Sequence, residues 1–134
     1  MSIKGIYKLV ESGFHEEALN KIRAAKDGGE SNPILKLFEA LALYDGNKDL
    51  ECLILLNTFL SEIDSDHEKY NYALFTSGIC LMNLGLPAEA SRLFNLVPNE
   101  YPGVGDERRE ARLKANESRE AINTFNSILD RANT

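Results

Sequence analysis

Gly13-Phe-His-Glu-Glu-Ala18 and Gly85-Leu-Pro-Ala-Glu-Ala90 share one plan, a glycine followed five positions later by an alanine, set between apolar stretches of helical period. Gly46 lies between them in the same kind of setting, 33 positions after Gly13 and 39 before Gly85. Such spacing marks stacked helical hairpins, one supersecondary unit per repeat. A residue tolerant of positive φ turns the chain, and a small residue just beyond it lets the second helix lie close against the first. A single hairpin cannot bury its own apolar face, so copies stack and leave one concave surface free. That surface is where binding is expected.

Working outward from these turns, the apolar periodicity predicts seven helices and no strand. The first hairpin pairs residues 3–12 with 16–26. Asn32-Pro33 offers a cap followed by a first-turn proline, opening a third helix over 33–44, and a fourth follows over 49–63. Ser65, three residues before Glu68, reads as a capping box for a fifth helix reaching Leu84. Pro87 opens a sixth helix, which Pro98 stops near Val97. In the last helix, 106–131, Ala111, Ala115, Ser118, Ile122, Phe125 and Leu129 recur at three- and four-residue steps among six acidic and six basic residues. This reads as a terminal cap with one apolar stripe. The expected fold is thus a single all-α domain over 1–134, with repeats at about 2–30, 32–64 and 66–102 and a capping helix at about 106–131.

With 134 residues, 43% of them apolar, the chain can fill a core of this kind. No apolar run approaches the ~20 residues of a membrane-spanning helix. The start, Met-Ser-Ile-Lys-Gly, lacks the apolar region of a secretory signal, so a cytoplasmic protein is expected. The net charge of −6 is unevenly placed: residues 1–68 carry 13 acidic and 7 basic side chains, residues 69–134 carry 8 of each. An acidic surface repels phosphate backbones and anionic lipid, which makes nucleic acid and membrane poor partners. Cys52 and Cys80 fall inside apolar helical patterns and read as buried free thiols rather than a structural bridge. Whether they are neighbours on adjacent helices stays open.

Signals of chemistry are sparse. His15-Glu16 starts like a zinc-protease helix, but Leu19 stands where the second histidine ligand would be needed. Around His67 the carboxylates Glu62, Asp64, Asp66 and Glu68 lack the turn glycine and downstream glutamate of a calcium loop, and they suit a helix entrance. Neither cysteine has a cysteine or histidine at metal-ligand spacing. Asp106 and Glu107 would repel a phosphate from Gly103-Val-Gly105. Serine nucleophiles have no evident base. No catalytic, cofactor or metal site is therefore expected, and the chain reads as non-enzymatic.

The hairpins resemble tetratricopeptide repeats. The third carries most of the likeness through Leu74, Gly78, Leu81, Gly85, Ala90, Phe94 and Pro102. The first matches through Leu9, Gly13, Ala18, Leu19, Ile22 and Ala25, with Ile6 replacing the small first-helix residue. In the middle unit Gly46 fits, and Glu51 or Cys52 takes the small-residue position, depending on a one-residue insertion. The resemblance implies a right-handed superhelical array whose first helices line a groove. The family's groove positions fall on Ile3, Tyr7, Val10 and Glu11, on Lys36, Ala40, Leu43 and Tyr44, and on Tyr72, Phe75, Ile79, Met82 and Asn83. One subgroup grips acidic C-termini with cationic side chains, but this chain has Ile3, Tyr7, Leu37, Tyr72 and Thr76 at the matching places, so that activity is not implied. What is implied is an adaptor or chaperone holding an apolar or amphipathic segment of another protein, such as a small type III secretion chaperone for a needle or translocator subunit. A homodimer or other homo-oligomer, or an accessory subunit of an enzyme, stands as the alternative.

Overall fold

The computed structural model describes residues 2–133; Met1 and Thr134, the ends of the expected domain, lie outside the described residues. The described residues are all-α: α1 Ile3–Glu11, α2 His15–Asp27, α3 Ile34–Asp45, α4 Asp49–Glu62, α5 Tyr70–Asn83, α6 Pro87–Leu96 and α7 Val104–Ala132. Each helix packs on the next, and α1 also reaches α3, so the three hairpins α1–α2, α3–α4 and α5–α6 lie side by side with α7 following on α6. Among the described residues no helix is long and apolar enough to cross a membrane.

The turns within the three hairpins are copies of one another. After α1, the N–H of Gly13 donates to Val10 O and that of Phe14 to Leu9 O; after α5, Gly85 and Leu86 donate to Met82 O and Leu81 O in the same way. Both glycines have the positive φ such a helix ending requires, +83° and +77°. In the middle hairpin the equivalent donors are Asn47 and Lys48, to Tyr44 O and Leu43 O, and the left-handed residue is Asn47 at φ 62° rather than Gly46 at −85°. The expected turn at Gly46 is therefore corrected by one residue: asparagine tolerates the left-handed region, and α3 continues through Asp45 before the chain reverses.

Counting from these turn residues aligns the hairpins. Five positions on stand Ala18, Cys52 and Ala90, each fully buried, which selects Cys52 over Glu51 as the small residue of the middle unit. Four further on stand Ile22, Leu56 and Phe94, also buried to 1% or less. Seven positions before the turn stand Ile6, Ala40 and Gly78, the residues facing the paired helix. Bulk is exchanged across this register: where the second helix carries Phe94 the first carries Gly78, whose missing Cβ would lie 2.4 Å from the Phe94 ring.

Helix ends are secured locally. Ser2 Oγ accepts from the Gly5 N–H, and Asn32 Oδ1 from the Ile34 N–H beside Pro33, as its spacing suggests. The capping box at Ser65 and Glu68 does not form. Instead His67 donates its N–H to Asp64 O and accepts the Lys69 N–H at Nδ1, while its ring meets Phe59 edge-on, and α5 starts only at Tyr70. At the end of α6, stopped by Pro98, Arg108 of α7 donates to the carbonyls of Phe94 and Val97 and to Asn99 Oδ1. A guanidinium there suits the negative end of the helix dipole.

Ile6, Phe38, Leu56, Phe59 and their neighbours form one core across the first two hairpins, and Leu74, Leu81, Phe94, Val97, Val104 and Ala111 another beneath α6 and α7. The capping role expected of the whole last helix holds only for its first half. Val104 and Ala111 are buried, but every described residue from Asn116 onward is exposed, with Ile122 and Phe125 each 59% accessible.

Candidate partner-binding groove

The register that builds the hairpins also fixes which side chains meet on the open side of α1, α3 and α5. Residues ten, six, three and two positions before each turn share one helical face. In α3 these are Leu37, Leu41, Tyr44 and Asp45; in α1 they include Tyr7, Val10 and Glu11; in α5 they include Phe75 and Ile79. All of these border a single concavity of about 680 Å³, together with Lys69, Tyr72, Thr76, Tyr101 and Pro102.

Of the groove residues expected from sequence, Tyr7, Glu11, Tyr44, Tyr72, Phe75 and Ile79 come together here, as does Val10. Lys36, Ala40, Met82 and Asn83 do not. Ala40 is wholly buried, in the position Gly78 holds in the third hairpin. Lys36 points toward α4 and pairs with Glu62, and Leu43 packs with the core of the first two hairpins. The cause is the displaced turn: advancing the α3 positions by one, from Lys36, Ala40 and Leu43 to Leu37, Leu41 and Tyr44, recovers the observed lining. Met82 packs with the second core, and Asn83 Nδ2 donates to Asp49 Oδ1 across to α4 at 3.0 Å. Ile3 packs against the first core and does not line the concavity. Lys69, Tyr101 and Pro102 belong to the loops flanking the third hairpin, where helical periodicity carries no signal; the closing Pro102 was the one hint.

The lining is aromatic. Four of the five tyrosines of the chain, Tyr7, Tyr44, Tyr72 and Tyr101, border the concavity. Phase relationships are close: Phe75 lies between Tyr101 and Phe94, with centroids 5.0 and 5.6 Å away, and Tyr7 leans on Phe38 at 5.2 Å. Lys69 Nζ sits 5.8 Å from the Tyr7 ring and 5.9 Å from the Tyr72 ring, a cation held against aromatic faces from two different hairpins.

Every one of the four phenols is held neutral well past ordinary pH. The Tyr7 phenol is pushed up chiefly by its hydrogen bond to Glu11, with burial adding to it. Burial is the main cause for Tyr44, Tyr72 and Tyr101, opposed in Tyr72 by a hydrogen bond from Thr76 and in Tyr44 by one with Asn83. The groove thus offers apolar ring faces with neutral hydroxyls that donate and accept, edged by Glu11 and Asp45. Asp45 Oδ2 also lies 3.5 Å from His15 Nδ1.

A second hollow of about 400 Å³ lies between α2, α3 and α4, bordered by Leu19, Arg23, Glu51 and the Lys26–Glu39 ion pair. Among the described residues no group of three or more histidine, cysteine or acidic side chains is placed to hold a metal. Compared with known family models, curated proteins and solved structures, the chain has no significant match.

Proposed function

We propose that this protein is a non-enzymatic interaction module that holds an apolar or amphipathic segment of a partner protein in the groove of α1, α3 and α5, in the manner of tetratricopeptide repeat proteins. One observation carries the reading: equivalent positions of three successive first helices converge on one tyrosine-lined concavity. Tyrosine suits such a surface because it presents a large rigid face and a polar tip at little conformational cost. The equivalence of the three turns supports the repeat reading, since each fixes the same helical face toward the same side. A groove of this volume and lining suits a helix anchored at i, i+3/i+4 positions or an extended segment with alternate apolar side chains.

The test is capture from the native host with paired baits. Tyr44→Ala and Phe75→Ala should each weaken partner binding by ~1–3 kcal/mol while remaining folded. Phe125→Ala, on the distal half of α7, should leave it unchanged. A partner retained by both groove variants and lost with Phe125→Ala would move the interface to α7. That second reading, self-association through α7, is favoured by the exposed Ile122, Phe125, Ile128 and Leu129.

A further inference from the structure

The two cysteines stand 28 positions apart in sequence, yet their sulfurs meet. Cys80 Sγ lies 3.5 Å from Cys52 Sγ, within thiol–thiol hydrogen-bond distance, and both residues are fully buried and free. Cys52 comes from α4 and Cys80 from α5, so the contact bridges the second and third hairpins. We propose that Cys52 and Cys80 form a peroxide-oxidisable dithiol, a covalent modification site whose disulfide staples α4 to α5 behind the groove.

Two features of the packing converge on this. Cys52 occupies the register where the first and third hairpins carry Ala18 and Ala90, so its sulfur is an addition at a close helix contact that alanine fills equally well. The sulfurs need to approach by only about 1.5 Å to reach bonding distance of about 2.0 Å. The hydrogen bond between them favours Cys80 as the thiol that ionises, lowering it against the opposing effect of burial, whereas the same bond and burial both raise Cys52. Once Cys80 ionises, Cys52 is the donor that steadies it, and a second negative sulfur beside the first is disfavoured.

The chemistry closes in two steps. When local opening between α4 and α5 admits peroxide to the buried sulfurs, the Cys80 thiolate attacks a peroxide oxygen, the O–O bond breaks, and Cys80 becomes a sulfenic acid with release of hydroxide. The Cys52 sulfur then attacks the Cys80 sulfur; the S–O bond breaks, the S–S bond forms, and water leaves with the Cys52 proton. The two thiols lose two electrons and one peroxide is reduced. Charge on the sulfurs would raise the Tyr44 phenol, and charge on Cys52 that of Tyr72, both on the groove wall, so the bond would form near the proposed binding surface.

The experiment uses the full chain, reduced and then exposed to hydrogen peroxide at neutral pH without denaturant. The expected product is a monomer lighter by two hydrogens, yielding a disulfide-linked peptide with Cys52 and Cys80, melting several degrees higher than the reduced protein and restored by dithiothreitol. Cys52→Ser should instead accumulate oxygen on Cys80 without a cross-link, and the wild-type readout does not depend on that variant folding. Two thiols still titratable after peroxide treatment and unfolding would overturn the proposal. So would a product that is an intermolecular dimer, or one carrying sulfinic acid with no internal cross-link.

Discussion

Gly78 and Phe94 are fitted closely to each other, because the phenyl edge occupies the space a Cβ would need, 2.4 Å away. Gly78→Ala should therefore destabilise the protein by ~1–3 kcal/mol through overpacking, read as a shift of the urea midpoint with little change in slope. The same register in the second hairpin holds Ala40 and Leu56, both buried, so the fold already contains the alanine-with-leucine solution. The double variant Gly78→Ala, Phe94→Leu should be less destabilised than the sum of its single variants, a favourable coupling of about 1 kcal/mol. Additive losses would mean that the two positions are not exchanging volume. Phe75 differs in kind. It is half-buried and tilts against Phe94 and Tyr101, so Phe75→Ala should cost clearly less stability than Phe94→Ala, for which ~3–5 kcal/mol is expected.

At the scale of the element, the turns decide everything that follows them. Gly85 sits at φ 77° with open space around its absent Cβ, so Gly85→Ala should cost ~1 kcal/mol from backbone strain alone. Gly46 has an ordinary φ of −85°, and a Cβ there would meet Leu43 O at a comfortable 3.5 Å. Gly46→Ala should accordingly be neutral or stabilising by up to ~1 kcal/mol, since it removes freedom from the unfolded chain. Opposite signs for these two chemically identical changes, measured by chemical denaturation, test the placement of the middle turn at Asn47. This is also where sequence reading reached its limit. All seven helices were legible from apolar period, prolines and glycines, and so was most of the α1 and α5 groove lining. Glycine is the commoner left-handed residue, however, and Gly46 stands beside an asparagine that can do the same work. The choice between them shifts α3 by about 100° of helical rotation, which is why Lys36 and Ala40 were expected in the groove where Leu37 and Leu41 stand. The late start of α5 had a similar origin: Ser65 and Glu68 have capping spacing, but the ring of His67 against Phe59 holds that segment in turns.

For the whole molecule, the contrast is between two apolar surfaces, the groove and the exposed distal half of α7. Helical period alone treats Ala111 and Ile122 alike, because it shows that a face is apolar without showing whether another element reaches it. In the structure α6 ends at Leu96 and covers only the start of α7; Ala111 is buried, while Ile122, Phe125, Ile128 and Leu129 are open. A chain ending after Asn116 should then keep its cooperative unfolding and lose less than about 1 kcal/mol of stability, because every described residue removed is exposed. Its helical circular dichroism should fall in proportion to the helix removed. A loss of several kcal/mol would show instead that the distal half docks back onto the body in solution. The same truncation separates the two proposed interfaces: sedimentation should show any self-association of the full chain disappearing, while capture of a groove partner persists in the truncated protein and is abolished in it by Tyr44→Ala. If the truncated protein loses that partner although Tyr44 and Phe75 are intact, the stripe of α7 is the binding surface and the tyrosine-lined groove is not.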